Sequence, residues 1–305
     1  MSSVKSYLSL IKFSHTIFAM PFAMIGFFAA VTSPADVYSE DSLRKYLISG
    51  ANYYMVFGFY LFLVIACMVT ARSAAMAFNR YLDRSFDAAN PRTAIREIPK
   101  GIISANNALM FTIVCCVLFM TCTYFINTLC FMLSPVALFV ILFYSYTKRF
   151  TPLCHLVLGV GLSLAPLGAY LAVTGAFAVL PLLFSFAVIF WVSGFDIIYA
   201  LQDEQFDKEH DLHSIPAWLG KNKALTVSRI FHVLSALFIL SAGIYGQFHW
   251  LYWIGFAVFT GMLLYQQSIV KPNDLSRVNI AFMTANGVAS VVFGILVIGD
   301  MIMKL

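Results

Sequence analysis

The stretch FAVLPLLFSFAVIFWVSGFDIIYA, residues 177–200, decides the fold, and it runs directly into the polar stretch LQDEQFD, residues 201–207. A helix that crosses a bilayer needs about 20 consecutive, mostly apolar residues. Residues 177–200 exceed that length and carry a single charged side chain, Asp196. The pattern therefore predicts a membrane-spanning helix that ends in a cluster of carboxylates.

Long apolar segments recur along the whole chain. Apolar residues make up 61% of the 305 residues and charged residues only 11%, whereas charged residues make up about 25% of an average soluble domain. This composition excludes a disordered chain, a coiled coil and an ordinary soluble enzyme. We expect an all-α membrane protein that forms one polytopic domain over residues 1–305, with about nine membrane-spanning helices. The predicted spans are residues 14–33, 53–78, 105–125, 127–146, 154–173, 177–200, 225–246, 249–270 and 281–303.

Two of the connections are long and charged, residues 79–104 and residues 201–224. With nine spans, 16 of the 19 Lys and Arg residues fall on the side of the N-terminus and 3 on the other side. Cytoplasmic loops carry an excess of these residues, so the N-terminus and both long loops are predicted to be cytoplasmic. The net charge of +5 is explained by this asymmetry. The sequence has no basic helix or zinc motif that would indicate a nucleic-acid partner.

The first polar constellation ends the second span. Arg72, Asn79, Asp83 and Asp87 fall on one narrow face if the chain is helical, because each residue turns by roughly 100°. Carboxylates one helical turn apart repel each other unless a cation lies between them.

The second constellation ends the sixth span and repeats the first one weakly. Asp196 lies inside the apolar segment, and two further carboxylates follow at a spacing of four residues. Because the two constellations are four spans apart, both acidic faces are predicted on the same side of the membrane. The matching positions are Asn79 with Tyr199, Asp83 with Asp203, and Asp87 with Asp207.

Two facing carboxylate pairs suit Mg²⁺, which prefers oxygen ligands and is commonly bound by one or two carboxylates together with substrate phosphates. A single DxxxD pattern at a helix end is more often a solvated face. Two copies, backed by Arg72 and Asp196 inside apolar segments, favour a functional site, because ionisable residues within the membrane are costly. Tyr144 and Lys148 form a third patch, one turn apart, which alone would indicate an interfacial anchor. The six cysteines and His155, His232 and His249 are interpreted as packing or interfacial residues.

These elements together resemble the UbiA-type membrane prenyltransferases, from about Lys12 to the last span. Residues 79–87, NRYLDRSFD, resemble the family's NDxxDxxxD helix, and residues 92–101, RTAIREIPKG, resemble the RTxxRxxPxG segment that follows it. Residues 196–207, DIIYALQDEQFD, resemble the second motif DxxYAxxDxxxD, and Tyr144 with Lys148 matches a YxxxK element.

The resemblance implies nine transmembrane helices around a central cavity that is open to lipid, in a bacterial inner membrane, with the active site facing the cytoplasm. It also implies transfer of a polyprenyl group from its diphosphate to an aromatic acceptor, with Mg²⁺ as cofactor. Residues 12–21 and 90–93 resemble a bacterial branch that acts on 4-hydroxybenzoate in quinone biosynthesis. Prenylation of a dihydroxynaphthoate in menaquinone synthesis stays open as the alternative.

The residues and the resemblance together assign three groups of site residues. The family's Asp after the motif Asn is Arg80 here, and a Lys common before the loop Ser is His213. The predicted metal ligands are Asn79, Asp83, Asp87, Asp203 and Asp207. The predicted catalytic residues are Asp83, Asp203, Asp196 and Tyr144, and the predicted substrate-binding residues are Arg72, Asn79, Arg92, Arg96, Lys148, Tyr199 and His213.

Two other classes of protein compete with this interpretation. A secondary transporter would place its coupling carboxylates near the middle of the spans, whereas these acids cluster at span ends. A CDP-alcohol phosphotransferase would carry characteristic glycines between an Ala-Arg pair and its aspartates. Ala71-Arg72 is present, but those glycines are missing.

Overall fold

The structure, a computed structural model, describes residues 3–11, 18–43, 50 and 52–304. Twelve α-helices, labelled in chain order, make up most of this part of the chain. They are α1 (Ser3–Leu10), α2 (Met20–Val31), α3 (Tyr53–Leu82), α4 (Arg84–Ala89), α5 (Ala105–Ile126), α6 (Thr128–Thr147), α7 (Cys154–Thr174), α8 (Val179–Ala200), α9 (Glu204–Glu209), α10 (Ile215–Tyr245), α11 (Trp250–Ile269) and α12 (Asn286–Met303). A 3₁₀ turn, Leu201–Asp203, joins α8 to α9, and a π-helical turn, Ile280–Ala285, leads into α12.

Seven helical segments of the described residues are long and apolar enough to cross a membrane. They coincide with seven of the nine predicted spans, so the all-helical membrane architecture is confirmed, while the count of nine is not. The predicted span 14–33 corresponds to α2, which has 12 residues; residues 12–17, which include the start of that span and much of the N-terminal motif, lie outside the described residues. The predicted span 249–270 corresponds to the 20-residue α11, which contains two Trp, two Tyr and two Gln residues and is not one of the seven segments.

The core of the bundle lies where α2, α8, α11 and α12 meet. Phe22 of α2 contacts Trp191 of α8 with ring centroids 5.3 Å apart, and Phe293 of α12 at 5.9 Å. These rings are fully buried, and large buried aromatic side chains contribute strongly to the energetics of a core. The packing fixes α8, the helix that carries the second acidic motif, in the middle of the molecule.

Both acidic motifs contain a break in the regular helix, and the break falls at the matching positions Asp83 and Asp203. Helix α3 ends at Leu82, Asp83 has φ −88° and ψ 8°, and the six-residue α4 follows. Helix α8 ends at Ala200, and a 3₁₀ turn follows that ends at Asp203. Asp203 has φ −105° and ψ 4°, and the six-residue α9 comes next. The weak repeat in the sequence is therefore also a repeat in the backbone.

The break does not separate the side chains of the first motif. The backbone N–H of Asp83 still donates to the carbonyl of Asn79 at 2.9 Å, and that of Asp87 to the carbonyl of Asp83 at 2.7 Å. The spacing of four residues therefore still places the motif on one face.

Candidate active site

A cavity of about 870 Å³ lies between the two acidic motifs and extends among apolar side chains of α3, α6, α7 and α8. It is lined by residues that are far apart in the sequence. Twelve of the predicted site residues line it: Arg72, Asn79, Asp83, Asp87, Arg92, Arg96, Tyr144, Lys148, Asp196, Tyr199, Asp203 and Asp207.

His213 is the predicted site residue that the structure does not bring to this cavity. Its side chain is exposed, and it is not among the described residues that line the cavity. The reason is local: its backbone N–H donates to the carbonyl of Lys148 at 2.6 Å, and Ser214 then begins α10 as its N-cap. The prediction that His213 binds a substrate phosphate is not supported by this arrangement.

Asp83 lies at the centre of the first motif with only 3% of its surface exposed. Arg149 donates to its Oδ1 at 2.8 Å, and Lys148 Nζ lies 3.5 Å from its Oδ2. The amide of Asn79 also donates to Oδ2, at 3.1 Å. Buried carboxylates need partners of this kind to stay charged.

Asp87 is held by two arginines. Arg96 donates to its Oδ1 at 2.5 Å, and Arg80, which is 4% exposed, lies 3.9 Å from its Oδ2. That Oδ2 atom is buried and has no hydrogen-bond partner in the described part of the chain. One carboxylate oxygen of the first motif is therefore desolvated without a donor, which costs free energy unless a ligand compensates it.

Asp203 of the second motif is bound by a guanidinium fork. Arg92 donates from Nε to Oδ1 at 2.9 Å and also from a terminal nitrogen to Oδ2, while its other terminal nitrogen donates to the hydroxyl of Tyr199 at 3.0 Å. The amide of Asn90 donates to Oδ1 as well, at 3.1 Å. Burial opposes the charged form of Arg92, but the hydrogen bonds and the charge of Asp203 outweigh it and raise its pKa. The two long loops are thus tied together through this pair.

The other two carboxylates of the second motif contact a hydroxyl and an imidazole: Asp207 contacts Ser214, and Asp196 contacts His155. The hydroxyl of Ser214 donates to Asp207 Oδ2 at 2.8 Å. Asp196 Oδ2 lies 2.7 Å from Nδ1 of His155. Deeper in the cavity, Arg72 has a buried Nε with no hydrogen-bond partner among the described residues.

Sequence reasoning missed four residues that contact the motifs: Arg80, Asn90, Arg149 and His155. Arg149 directly follows the predicted Lys148, and Asn90 directly precedes the Pro91-Arg92 pair, so proximity to a motif is a signal that could have found them. His155 has no such signal, because an isolated histidine at the start of an apolar segment usually packs in the core.

The sequence profile of the UbiA prenyltransferase family matches residues 19–288, which is most of the chain. The chain belongs to the UbiA prenyltransferase family. The resemblance inferred from the motifs is confirmed at the level of the family. Its match to the 4-hydroxybenzoate octaprenyltransferase of Francisella tularensis subsp. mediasiatica is 28% identical over 239 residues, 78% of this chain and 84% of that protein.

Solved structures of the family share the fold of this prenyltransferase. A UbiA homolog from Aeropyrum pernix K1, solved in its apo form, has a TM-score of 0.76 and 26% identity, covering 95% of this chain and 98% of its own. A UbiA homolog from Archaeoglobus fulgidus, solved with GPP and Mg²⁺, has a TM-score of 0.68 and 17% identity, covering 97% and 99%. The second similarity bears on the fold alone.

Proposed function

We propose that the enzyme transfers a polyprenyl group from polyprenyl diphosphate to 4-hydroxybenzoate or a closely related aromatic acid, with Mg²⁺ as cofactor. The observation that carries this proposal is the joining of two buried acidic motifs and their arginines at one end of an apolar cavity. The charged end suits the diphosphate, and the apolar part suits a prenyl chain.

The residues present fit Mg²⁺. Asn79, Asp83, Asp87, Asp203 and Asp207 offer hard oxygen donors, as this ion prefers, and the unpartnered Oδ2 of Asp87 is a ligand atom left over. Among the described residues, no group of three or more Asp, Glu, His or Cys side chains is arranged so that it could hold a metal ion. In the proposed site, substrate phosphates therefore supply further ligands, as they commonly do for Mg²⁺. When bound, Mg²⁺ would neutralise negative charge that develops on the leaving diphosphate.

The basic residues that now hold the carboxylates are the ones we assign to the diphosphate. The side chains of Arg92, Arg96 and Lys148 are partly exposed, to 31%, 21% and 33% of their surface. Guanidinium groups bind phosphate oxygens through paired hydrogen bonds. Arg80 and Arg149 add two further positive charges beside Asp87 and Asp83.

We assign the acceptor ring a position beside Asp196. The allylic C–O bond of the donor breaks, the electron-rich ring forms a C–C bond to the allylic carbon, and the ring carbon then loses its proton. Asp196 is the candidate proton acceptor, since it lines the cavity and pairs with His155 rather than with an Arg or Lys. Arg72 is the candidate to bind the acceptor's carboxylate, and the ring face of Tyr144 can stabilise the cationic carbon.

The apolar part of the cavity has two consequences for this chemistry. Its lining includes Val64, Leu133, Ile141 and Leu162, which cannot hydrogen-bond water. Excluding water protects the reactive allylic carbon from hydrolysis. The same surface lets a long prenyl product stay in an apolar environment as it leaves for the lipid.

We also propose that the two long loops lie on the cytoplasmic side of a bacterial inner membrane. The support is the distribution of Lys and Arg, 16 of 19 on that side in a nine-span arrangement, together with the positive-inside rule.

The experiment is prenyl transfer by the purified protein in detergent, with one long polyprenyl diphosphate and several acceptors in parallel. Product from 4-hydroxybenzoate would support the 4-hydroxybenzoate branch. Product from a dihydroxynaphthoate alone would move the enzyme to menaquinone synthesis. Folded protein that makes no product with any of these acceptors would contradict the proposed function.

A further inference from the structure

His155 is a buried imidazole that touches the cavity. It is the second residue of α7, only 3% of its side chain is exposed, and it lines the cavity beside Asp196. Its Nδ1 lies 2.7 Å from Oδ2 of Asp196 on the neighbouring helix α8. A hydrogen bond of this length between a ring nitrogen and a carboxylate is a strong one.

A second hydrogen bond fixes which ring nitrogen carries the proton. The backbone N–H of Ile215 donates to Nε2 of His155 at 3.3 Å. A ring nitrogen that accepts a hydrogen bond is unprotonated. The proton of the neutral ring is therefore on Nδ1, and His155 donates to Asp196.

This contact leaves the two oxygens of Asp196 in different environments. Oδ2 accepts from His155, while none of the described residues donates to Oδ1. The side chain of Asp196 keeps 18% of its surface exposed and lines the cavity. One oxygen is thus anchored, and the other is available to a molecule in the cavity.

The imidazole also joins Asp196 to the loop that carries the rest of the second motif. Ile215 follows Ser214, whose hydroxyl donates to Asp207 at 2.8 Å. His155, placed between Asp196 and Ile215, therefore connects the carboxylate inside the membrane to the segment that holds Asp207.

We propose that His155 is a positioning residue of the prenyl transfer, which holds Asp196 by its Nδ1–H so that the second carboxylate oxygen faces the acceptor. The inference rests on the proposed function, in which Asp196 receives the ring proton. A histidine that merely filled the core would account for the burial of the ring. Such a role would not explain why the donor nitrogen of the ring, Nδ1, points at Asp196, a carboxylate that lines the cavity.

Two isosteric substitutions separate positioning from packing. In His155→Asn the amide nitrogen takes the place of Nδ1 and can still donate to Asp196, whereas in His155→Gln the amide oxygen takes the place of Nε2 and can still accept from Ile215. We expect His155→Asn to keep kcat within about threefold of the wild type and His155→Gln to lose at least about tenfold, with the KM for prenyl diphosphate unchanged in both. In an Asp196→Asn background, His155→Gln should cause no further loss.

Equal losses in the Asn and Gln variants, or a change confined to the KM for prenyl diphosphate, would overturn the proposal. Thermal unfolding in detergent identifies a variant that simply fails to fold.

The ¹⁵N spectrum of histidine-labelled protein gives a readout that does not need activity, with the His155 signals identified by their loss in His155→Gln. Signals of a neutral His155 ring protonated on Nδ1, which change in the Asp196→Ala variant, would support the contact. Signals of a ring protonated on Nε2 alone would contradict it. Failure of the wild type to transfer a prenyl group would instead refute the proposed function.

Discussion

Arg149 donates a hydrogen bond to Oδ1 of Asp83 at 2.8 Å and so joins the segment after α6 to the break in the first acidic motif. The same guanidinium donates to the carbonyls of Ser145 at 2.7 Å and Leu82 at 3.3 Å. Its position is therefore fixed by three acceptors, one on α3, one on α6 and one at the break that follows α3. With Lys148 on the other oxygen, two cations face one carboxylate, which leaves positive charge for a bound anion.

Replacing Arg149 by Ala should weaken binding of the donor. Removal of the guanidinium leaves Asp83 with Lys148 as its remaining cation and takes away one positive charge near the diphosphate site. We expect the KM for prenyl diphosphate to rise by about tenfold, which corresponds to 1.4 kcal/mol, with a smaller effect on the acceptor KM. Arg229→Ala, which removes an exposed arginine of α10, is the matched control. Equal kinetics in the two variants would remove Arg149 from the site.

Replacing Arg92 by Lys should be damaging although it conserves the charge. The fork that grips both oxygens of Asp203 and reaches Tyr199 cannot be reproduced by an ammonium group. We expect kcat/KM to fall by about tenfold or more at all assay pH values, because the raised pKa of Arg92 keeps the wild-type guanidinium charged throughout. Arg84→Lys, at an exposed arginine of α4, should keep the wild-type value. Wild-type kcat/KM in Arg92→Lys would show that charge alone is sufficient there.

Replacing Arg72 by Ala tests where the acceptor lies. Its Nε is buried and has no hydrogen-bond partner in the described part of the chain, so a carboxylate in the cavity could pair with it. We expect the KM for the aromatic acid to rise by about tenfold or more, with the donor KM nearly unchanged. An unchanged acceptor KM and rate would exclude Arg72 from acceptor binding.

Much of this site could be predicted from the sequence because it depends on local spacing. Carboxylates four residues apart stay on one face whether the helix is continuous or broken at Asp83, and those of both motifs line the cavity. Arg92 and Arg96 line it as well, but they were predicted from the family resemblance and not from spacing. The break itself could not be predicted. It depends on how the chain turns at the end of α3, and Asp83 carries no Gly or Pro signal that would mark it.

Two of the missed residues, His155 and Arg149, make contacts that depend on packing between helices distant in the sequence. His155 reaches Asp196 across 41 positions, and Arg149 reaches Asp83 across 66. Neither contact leaves a periodic pattern in the sequence. His213 differs from these residues, since a family position predicted its role, whereas its side chain is exposed just before α10 and does not line the cavity.

The close approach of α2 to α7 makes a prediction about stability. A Cβ atom on Gly26 would lie 2.0 Å from the carbonyl oxygen of Pro166, whereas a Cβ on Gly58 would have no neighbour within 4 Å. Gly26→Ala must push the two helices apart and should cost about 1–3 kcal/mol. Gly58→Ala should be neutral or slightly stabilising, because alanine favours the helix. Thermal unfolding in detergent compares the two, and equal stability would contradict the observed packing.

Metal-dependent prenyl transfer at the acidic motifs is tested most directly by the rate of transfer against Mg²⁺ concentration, for the wild type and for Asp203→Asn. We expect that chelation abolishes wild-type transfer, that added Mg²⁺ restores it, and that Asp203→Asn stays below about 1% of the wild-type rate at every concentration. Glu209→Gln, at an exposed carboxylate of α9, should behave as the wild type. Full transfer by Asp203→Asn, or by wild-type protein after complete removal of Mg²⁺, would contradict the assignment of the acidic motifs to metal-dependent prenyl transfer.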